Sequence, residues 1–230
     1  MRFKTRLGPK AMATVSTDQS RPMWQSQGRR IYCVLSVMLL IIAAVVFTTP
    51  AAMARTYTAI VIDAETGDVL HEYRADHKVY PASLTKIMTL YMLFDALDSG
   101  KVSLSTRMEV SKRAWGQAPS KLGLQPGEKI SVEDAILALV TKSANDIAVV
   151  VAEHLGGTEV KFAQMMTAKA RQIGMKNTTF RNASGLPNRG QLTTARDMIR
   201  LAVSLRKDYG NYYHYFSTQK FSYGAHQWQP

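Results

Sequence analysis

The sequence predicts an α/β fold of the α+β kind, an antiparallel sheet with helices packed on it, and three observations carry that prediction. A β-hairpin pattern follows residue 55, several helical periodicities with their own start and stop signals come next, and a strand pattern returns near the end of the chain. No internal repeat, low-complexity stretch or linker interrupts the order.

The first element is a leader, residues 1–54. Arg29 and Arg30 precede an apolar run of 17 residues, Ile31 to Phe47, followed by Pro50 and by Ala52-Met53-Ala54. This is the pattern of a basic n-region, an h-region and an A-x-A site, so cleavage after Ala54 is expected, an uncleaved N-terminal anchor being the alternative. Residues 55–230 then form one exported domain. The chain's formal charge of +12 divides accordingly, with seven basic residues and one acid in the leader and +6 left for the rest. That remainder fits a solvated basic surface, or attraction to an anionic wall or membrane surface. No Arg/Lys stripe interleaved with aromatics argues for nucleic acid. The single cysteine, Cys33, lies in the leader, which leaves the domain without disulfides, thiolate metal sites or a cysteine nucleophile.

Thr56 to Asp63 and Val69 to Arg74 are rich in β-branched and aromatic residues and flank Ala64 to Asp68, a hairpin signal. After Pro81, residues Leu84, Ile87, Met88, Tyr91, Leu93, Phe94 and Leu97 recur at helical spacing up to Gly100, predicting a mostly buried helix of about four turns. Val102 to Ile130, punctuated by Pro119, Gly123, Pro126 and Gly127, reads as loops and small strands. Ser131 with Asp134 opens a second helix. Lys142-Ser143-Ala144-Asn145 interrupts it before Ile147 to Leu155 resumes, and Gly156-Gly157 ends it. One further helix runs from Thr158 to about Ile173 and another from a Thr194 cap to about Lys207. Asn182 to Gly190 is a turn-rich loop, and Ser217 to Trp228 reads as strand, turn, strand.

The chemistry begins with Ser83 and Lys86, which are three residues apart on one helix face. A desolvated lysine can take a serine proton without any histidine. The spacing alone is weak: Ser204 with Lys207 and Ser217 with Lys220 repeat it, and a capping serine beside a solvated lysine would look the same. Ser143-Ala144-Asn145 supplies the context, in a helix break that can aim a hydroxyl and an amide into a cleft, although such residues also cap helices. Ser-x-x-Lys followed by this triplet is part of the acyl-serine set of penicillin-binding proteins and β-lactamases. No G-x-S-x-G elbow, zinc helix or phosphate loop is present in the sequence, and no cofactor is implied.

Wider stretches carry a resemblance: Tyr80-Pro81-Ala82-Ser83-Leu84-Thr85-Lys86-Ile87-Met88-Thr89, Gln125-Pro126-Gly127-Glu128, Ser143-Ala144-Asn145-Asp146, Asn182-Ala183-Ser184-Gly185-Leu186-Pro187 and Thr193-Thr194-Ala195-Arg196-Asp197. The sequence resembles the low-molecular-weight penicillin-binding proteins that act as serine-type D-alanyl-D-alanine carboxypeptidases, the peptidase S11 family. The resemblance implies a β-lactamase/transpeptidase-like fold with a helical subdomain. It implies that Ser83 is the acyl-ester nucleophile, Lys86 the proton acceptor, Ser143 the proton relay and Asn145 a substrate-binding residue. The implied partners are peptidoglycan stem peptides, with β-lactams as covalent inhibitors, and the implied location is the periplasm or the outer face of the inner membrane.

The family's third element, Lys-Thr-Gly, does not occur in the 230 residues. In the family it lies on a strand that helps bind the terminal carboxylate and supplies one oxyanion-hole amide. The expectation is therefore a domain with the later sheet strands missing, and two alternatives follow. One is a wall-binding protein or gene fragment without activity. The other is a β-lactamase, disfavoured because the Asn182 to Gly190 loop holds no glutamate to activate a deacylating water. Ile147 and Met166 stand where the family usually has alanine and asparagine.

Overall fold

The computed structural model describes residues 57–224 and 226–228, with side chains up to Gly224, together with Leu35, Met38 and Leu39, which are helical. The chain falls into two units, Met1–Ala54 and Arg55–Pro230. The leader's cleavage motif and Cys33 lie outside the described residues. Among the described residues no helix is long and apolar enough to cross a membrane.

The expected hairpin forms from β1 (Ala59–Ile62) and β2 (Val69–Tyr73), antiparallel with Ala59 opposite Tyr73 and a register shift between Val61 and Ile62. Its turn is fixed by the Asp63 carboxylate, which accepts the amides of Glu65 and Thr66 at 2.8 Å each. Helix α1 (Thr85–Asp98) follows a 3-10 turn, Ala82–Leu84. Ten of the residues of α1 are buried, so it is a core helix, apolar nearly all round. Leu84, which the periodicity assigned to the buried face, is 53% exposed because it belongs to the turn.

The loop-rich stretch contains β3 (Arg107–Glu109) paired antiparallel with β4 (Lys129–Ser131), and a one-turn helix α2 (Lys112–Trp115) capped by the Ser111 hydroxyl. Helix α3 (Val132–Lys142) is capped by Ser131, which accepts the Asp134 amide. It ends at Ser143 in the left-handed region, φ +54°. Helix α4 (Asn145–Gly156) starts two residues later and is the centre of the molecule: Ile147 to Ala152 are completely buried. It touches α1, α2, α3, β3 and α5 (Glu159–Gln172). A Cβ on Gly156 would lie 2.8 Å from the Phe162 Cβ, so the close approach of α4 to α5 needs glycine there. Ile147 and Met166 are fully buried core residues.

Helix α6 (Ala195–Asp208) is capped by Thr194 and packs against β1 and α1. A 3-10 segment, Gly210–Ser217, follows where no helix was expected, and then β5 (Phe221–Tyr223) pairs with β6 (His226–Trp228). Two tyrosines lock α6 and the segment after it onto α1. Tyr91 donates to Asp208 and Tyr209 donates to Asp95, each at 2.7 Å, with the two rings edge to face. The described strands form three separate two-stranded sheets, with helices packed around α1 and α4.

Candidate active site

Ser83 and Lys86 lie where the 3-10 turn passes into α1. Ala82, immediately before Ser83, has φ +47°, a left-handed conformation that is uncommon outside glycine. Gly185 is the reason the turn can sit so close to its neighbour, since a Cβ there would fall 1.8 Å from the Ala82 carbonyl oxygen, and its φ is +89°. Ser83 is exposed. Its amide lies ahead of the first bond of the 3-10 turn, which runs from the Leu84 N–H to the Pro81 carbonyl at 3.2 Å, and so has no partner within the turn.

Lys86 is buried, with 3% exposure. Its Nζ donates to Asn145 Oδ1 and to the Ser184 carbonyl, both at 2.7 Å. Both acceptors are neutral, so burial is left uncompensated by a carboxylate and pushes the amine down to about 8. Two donated protons leave a neutral amine its lone pair. The two other Ser-x-x-Lys pairs differ on this point, because Lys207 and Lys220 are exposed.

The left-handed Ser143 breaks the chain between α3 and α4 and sets Asn145 at the start of α4. Ser143 is half-buried. Asn145 is held from both ends: its Nδ2 donates to the Ala118 carbonyl at 2.9 Å and its amide to the Ser120 carbonyl at 2.7 Å. That loop is in turn fixed by Asp146, fully buried, whose carboxylate accepts the amides of Leu122, Gly123 and Ile147 at 2.8–2.9 Å.

The Asn182 to Gly190 loop closes the other side. Thr89 Oγ1 donates to the Ala183 carbonyl at 2.7 Å, and Asn182 Oδ1 accepts the Gly185 amide at 2.8 Å. The buried Gln191 accepts the amides of Arg181 and Asn182 and donates toward Thr85 Oγ1 at 3.4 Å. Beside Ser83 the loop forms one wall of a cleft of about 470 Å³, lined by Tyr80, Pro81, Ala82, Leu186 and Pro187 among others.

Of the four residues singled out in the sequence, the structure joins Lys86 and Asn145 directly. Ser83 lies one turn ahead of the first and Ser143 two residues ahead of the second. Sequence reasoning missed the Ser184 and Ala118 carbonyls, Thr89 and Gln191, which act through backbone groups or through a fold-dependent contact. Asp146 carried a usable signal, its place directly after the Ser143 triplet. Among the described residues no cluster of His, Cys, Asp and Glu could hold a metal ion.

The chain is similar to known proteins in sequence and in fold. The peptidase S11 profile, described as D-alanyl-D-alanine carboxypeptidase, matches residues 45–229. The D-alanyl-D-alanine carboxypeptidase DacF of Bacillus subtilis is 37% identical over 150 residues, which is 65% of this chain and 39% of that one. Penicillin binding protein 5 of Haemophilus influenzae superposes with a TM-score of 0.73 at 31% identity, covering 79% of this chain and 54% of that one. Penicillin-Binding Protein D2 of Listeria monocytogenes, solved in an ampicillin-bound form, gives 0.67 at 26% identity, covering 78% and 74%. The fold is therefore the β-lactamase/transpeptidase-like one that the sequence implied. The chain spans 39–45% of the length of the first curated relatives it matches.

Proposed function

The chain belongs to the D-alanyl-D-alanine carboxypeptidase family, peptidase S11, and from that membership we propose that it removes the terminal D-alanine from peptidoglycan stem peptides through an acyl-serine intermediate. One observation carries the reading: Lys86 is a buried amine with two neutral acceptors and a lowered pKa. Such an amine is neutral often enough at pH 7 to act as a base. Ser83 Oγ attacks the carbonyl of the penultimate D-alanine while Lys86 takes its proton. The Ser83 amide, free of helical partners, faces the negative charge that develops on the carbonyl oxygen. The tetrahedral intermediate collapses, the C–N bond breaks, and Ser143 relays the proton held by Lys86 to the departing D-alanine nitrogen, which leaves Lys86 neutral. Water then attacks the acyl ester while Lys86 takes its proton, and that proton returns to Ser83 Oγ as the ester bond breaks. Asn145 hydrogen-bonds the substrate backbone and holds Lys86 in place, and the cleft beside Ala82 and Gly185 receives the acyl side of the peptide.

β-Lactams acylate Ser83 in the same way, their ring amide standing in for the D-alanyl-D-alanine bond. Intact-mass spectrometry after incubation with a penicillin tests this, with Ser83→Ala as the control. A covalent adduct on the parent and none on the control is the expected result. A chain that is folded by circular dichroism and takes no adduct would instead be a binding member of the family without turnover.

Export of the domain to the periplasm or the outer face of the inner membrane belongs to the same proposal. It is supported by Arg29 and Arg30, the apolar run to Phe47 and the Ala52-Met53-Ala54 motif. Sequencing the N-terminus of the mature protein is expected to begin at Arg55, and a start at Met1 would mean retention as an anchor.

A further inference from the structure

We propose that Glu159 is a positioning residue for the Lys86–Asn145 pair, acting with Arg113 as a brace between the two loops that hold that pair. The proposal rests on the reading of Lys86 as the proton acceptor and extends it to a residue in neither serine motif. Glu159 opens α5 and is 3% exposed. An acidic residue in the first turn of a helix is ordinarily explained by the helix dipole, with its head in water. Glu159 does not behave so, because Thr158 already caps α5 and the Glu159 carboxylate is spent elsewhere.

One oxygen, Oε1, accepts the Ala183 amide at 3.2 Å. The other, Oε2, accepts Arg113 Nε at 3.0 Å and makes an ion pair with the Arg113 Nη2. Ala183 precedes Ser184, whose carbonyl receives the Lys86 amine. The Ala183 peptide is therefore gripped at its N–H by Glu159 and at its carbonyl by Thr89. On the other side Arg113 sits in α2, directly before the loop whose Ala118 and Ser120 carbonyls receive Asn145. One buried carboxylate thus ties the loop that supplies the second acceptor of Lys86 to the helix that leads into the loop receiving Asn145. A buried carboxylate left without partners is costly, so the pairing is enforced in the folded state.

Without the brace the Ser184 peptide loosens, Lys86 loses an acceptor and a seal, and water reaches the amine. The groups facing Lys86, Asn145 and the Ser184 carbonyl, are uncharged, so hydration dominates and the amine returns toward its ordinary range.

The test is the titration of Lys86 in the full chain, read from the ε-carbon by NMR with isotopically labelled lysine and assigned with Lys86→Arg. Glu159→Ala is expected to raise the midpoint by about one pH unit or more. Glu159→Gln keeps an acceptor for the Ala183 amide and is expected to restore most of the parent midpoint, which a merely stabilising role would not predict. Arg113→Met is expected to move it in the same direction by less. The Arg113 side chain is 58% exposed, so that variant is expected to fold and decides the matter should Glu159→Ala not fold. An unmoved midpoint in folded Glu159→Ala, or in Arg113→Met if the former does not fold, overturns the brace. Penicillin acylation of the same proteins separates the two readings. A parent that is never acylated counts against the carboxypeptidase reading alone, while the Lys86 midpoint still decides the role of Glu159.

Discussion

At the scale of single residues, the site depends on how one amine is solvated. Lys86 is pushed down to about 8 by burial, and the sign of its pH dependence follows directly. In the proposed mechanism only the neutral amine takes the Ser83 proton, so acylation is expected to rise as pH climbs through that value and to fall about tenfold per pH unit well below it. The second-order rate of penicillin acylation against pH is expected to show a single ascending limb with its midpoint near 8. Lys86→Arg, whose side chain stays protonated, is expected to lose that limb. The spacing of Ser83 and Lys86 was legible in the sequence, but the property that matters was not. Ser204 with Lys207 and Ser217 with Lys220 have the same spacing, and what separates them from Lys86 is burial, which long-range packing decides. The resemblance singled out Ser83 and Lys86 because its motif extends well beyond the two residues, and theirs is the pair whose lysine is buried.

At the scale of elements, helix starts were the most legible features. Ser131 and Thr194 cap as their sequence context predicts and Thr158 caps the helix expected to run from it, each accepting the amide of the third residue on. Two helical pieces escaped notice. The single turn of α2 lies in a stretch that Pro119, Gly123, Pro126 and Gly127 after it mark as loop, and Gly210–Ser217 is an aromatic run without helical periodicity. The latter is held by packing, with Phe94 stacked on Tyr212 at 4.9 Å and Tyr209 tied to Asp95. The most consequential element is the junction of α3 and α4, where Asp146 secures three backbone amides. Asp146→Ala leaves those donors without their acceptor and is expected to cost about 3 kcal/mol or more in urea unfolding. Because the same loop carries the Ala118 and Ser120 carbonyls, the variant is also expected to acylate more slowly under conditions where it remains folded.

Across the whole molecule, the helices around α1 and α4 form the well-packed part, and the strands are short. The fold class was legible because its pattern survives in pieces, hairpin first and helices after. The separation of the described strands into three pairs was not, since strand partners are set by contacts distant in sequence. Backbone strain is distributed unevenly. Among the described residues three that are not glycine have positive φ, Arg74, Ala82 and Ser143, and the last two are next to Ser83, the proposed nucleophile, and at the head of the second motif. A left-handed alanine costs about 1–2 kcal/mol, and the entropy that a glycine would lose there offsets roughly half of that. Ala82→Gly is accordingly expected to raise the melting temperature by about 2 °C, as read by calorimetry. It is also expected to slow acylation, because the turn that presents Ser83 gains freedom. Under the proposed mechanism, selection for heat tolerance alone would drive position 82 toward glycine and selection for turnover would hold it at alanine, which would set endurance against catalytic speed at this one torsion.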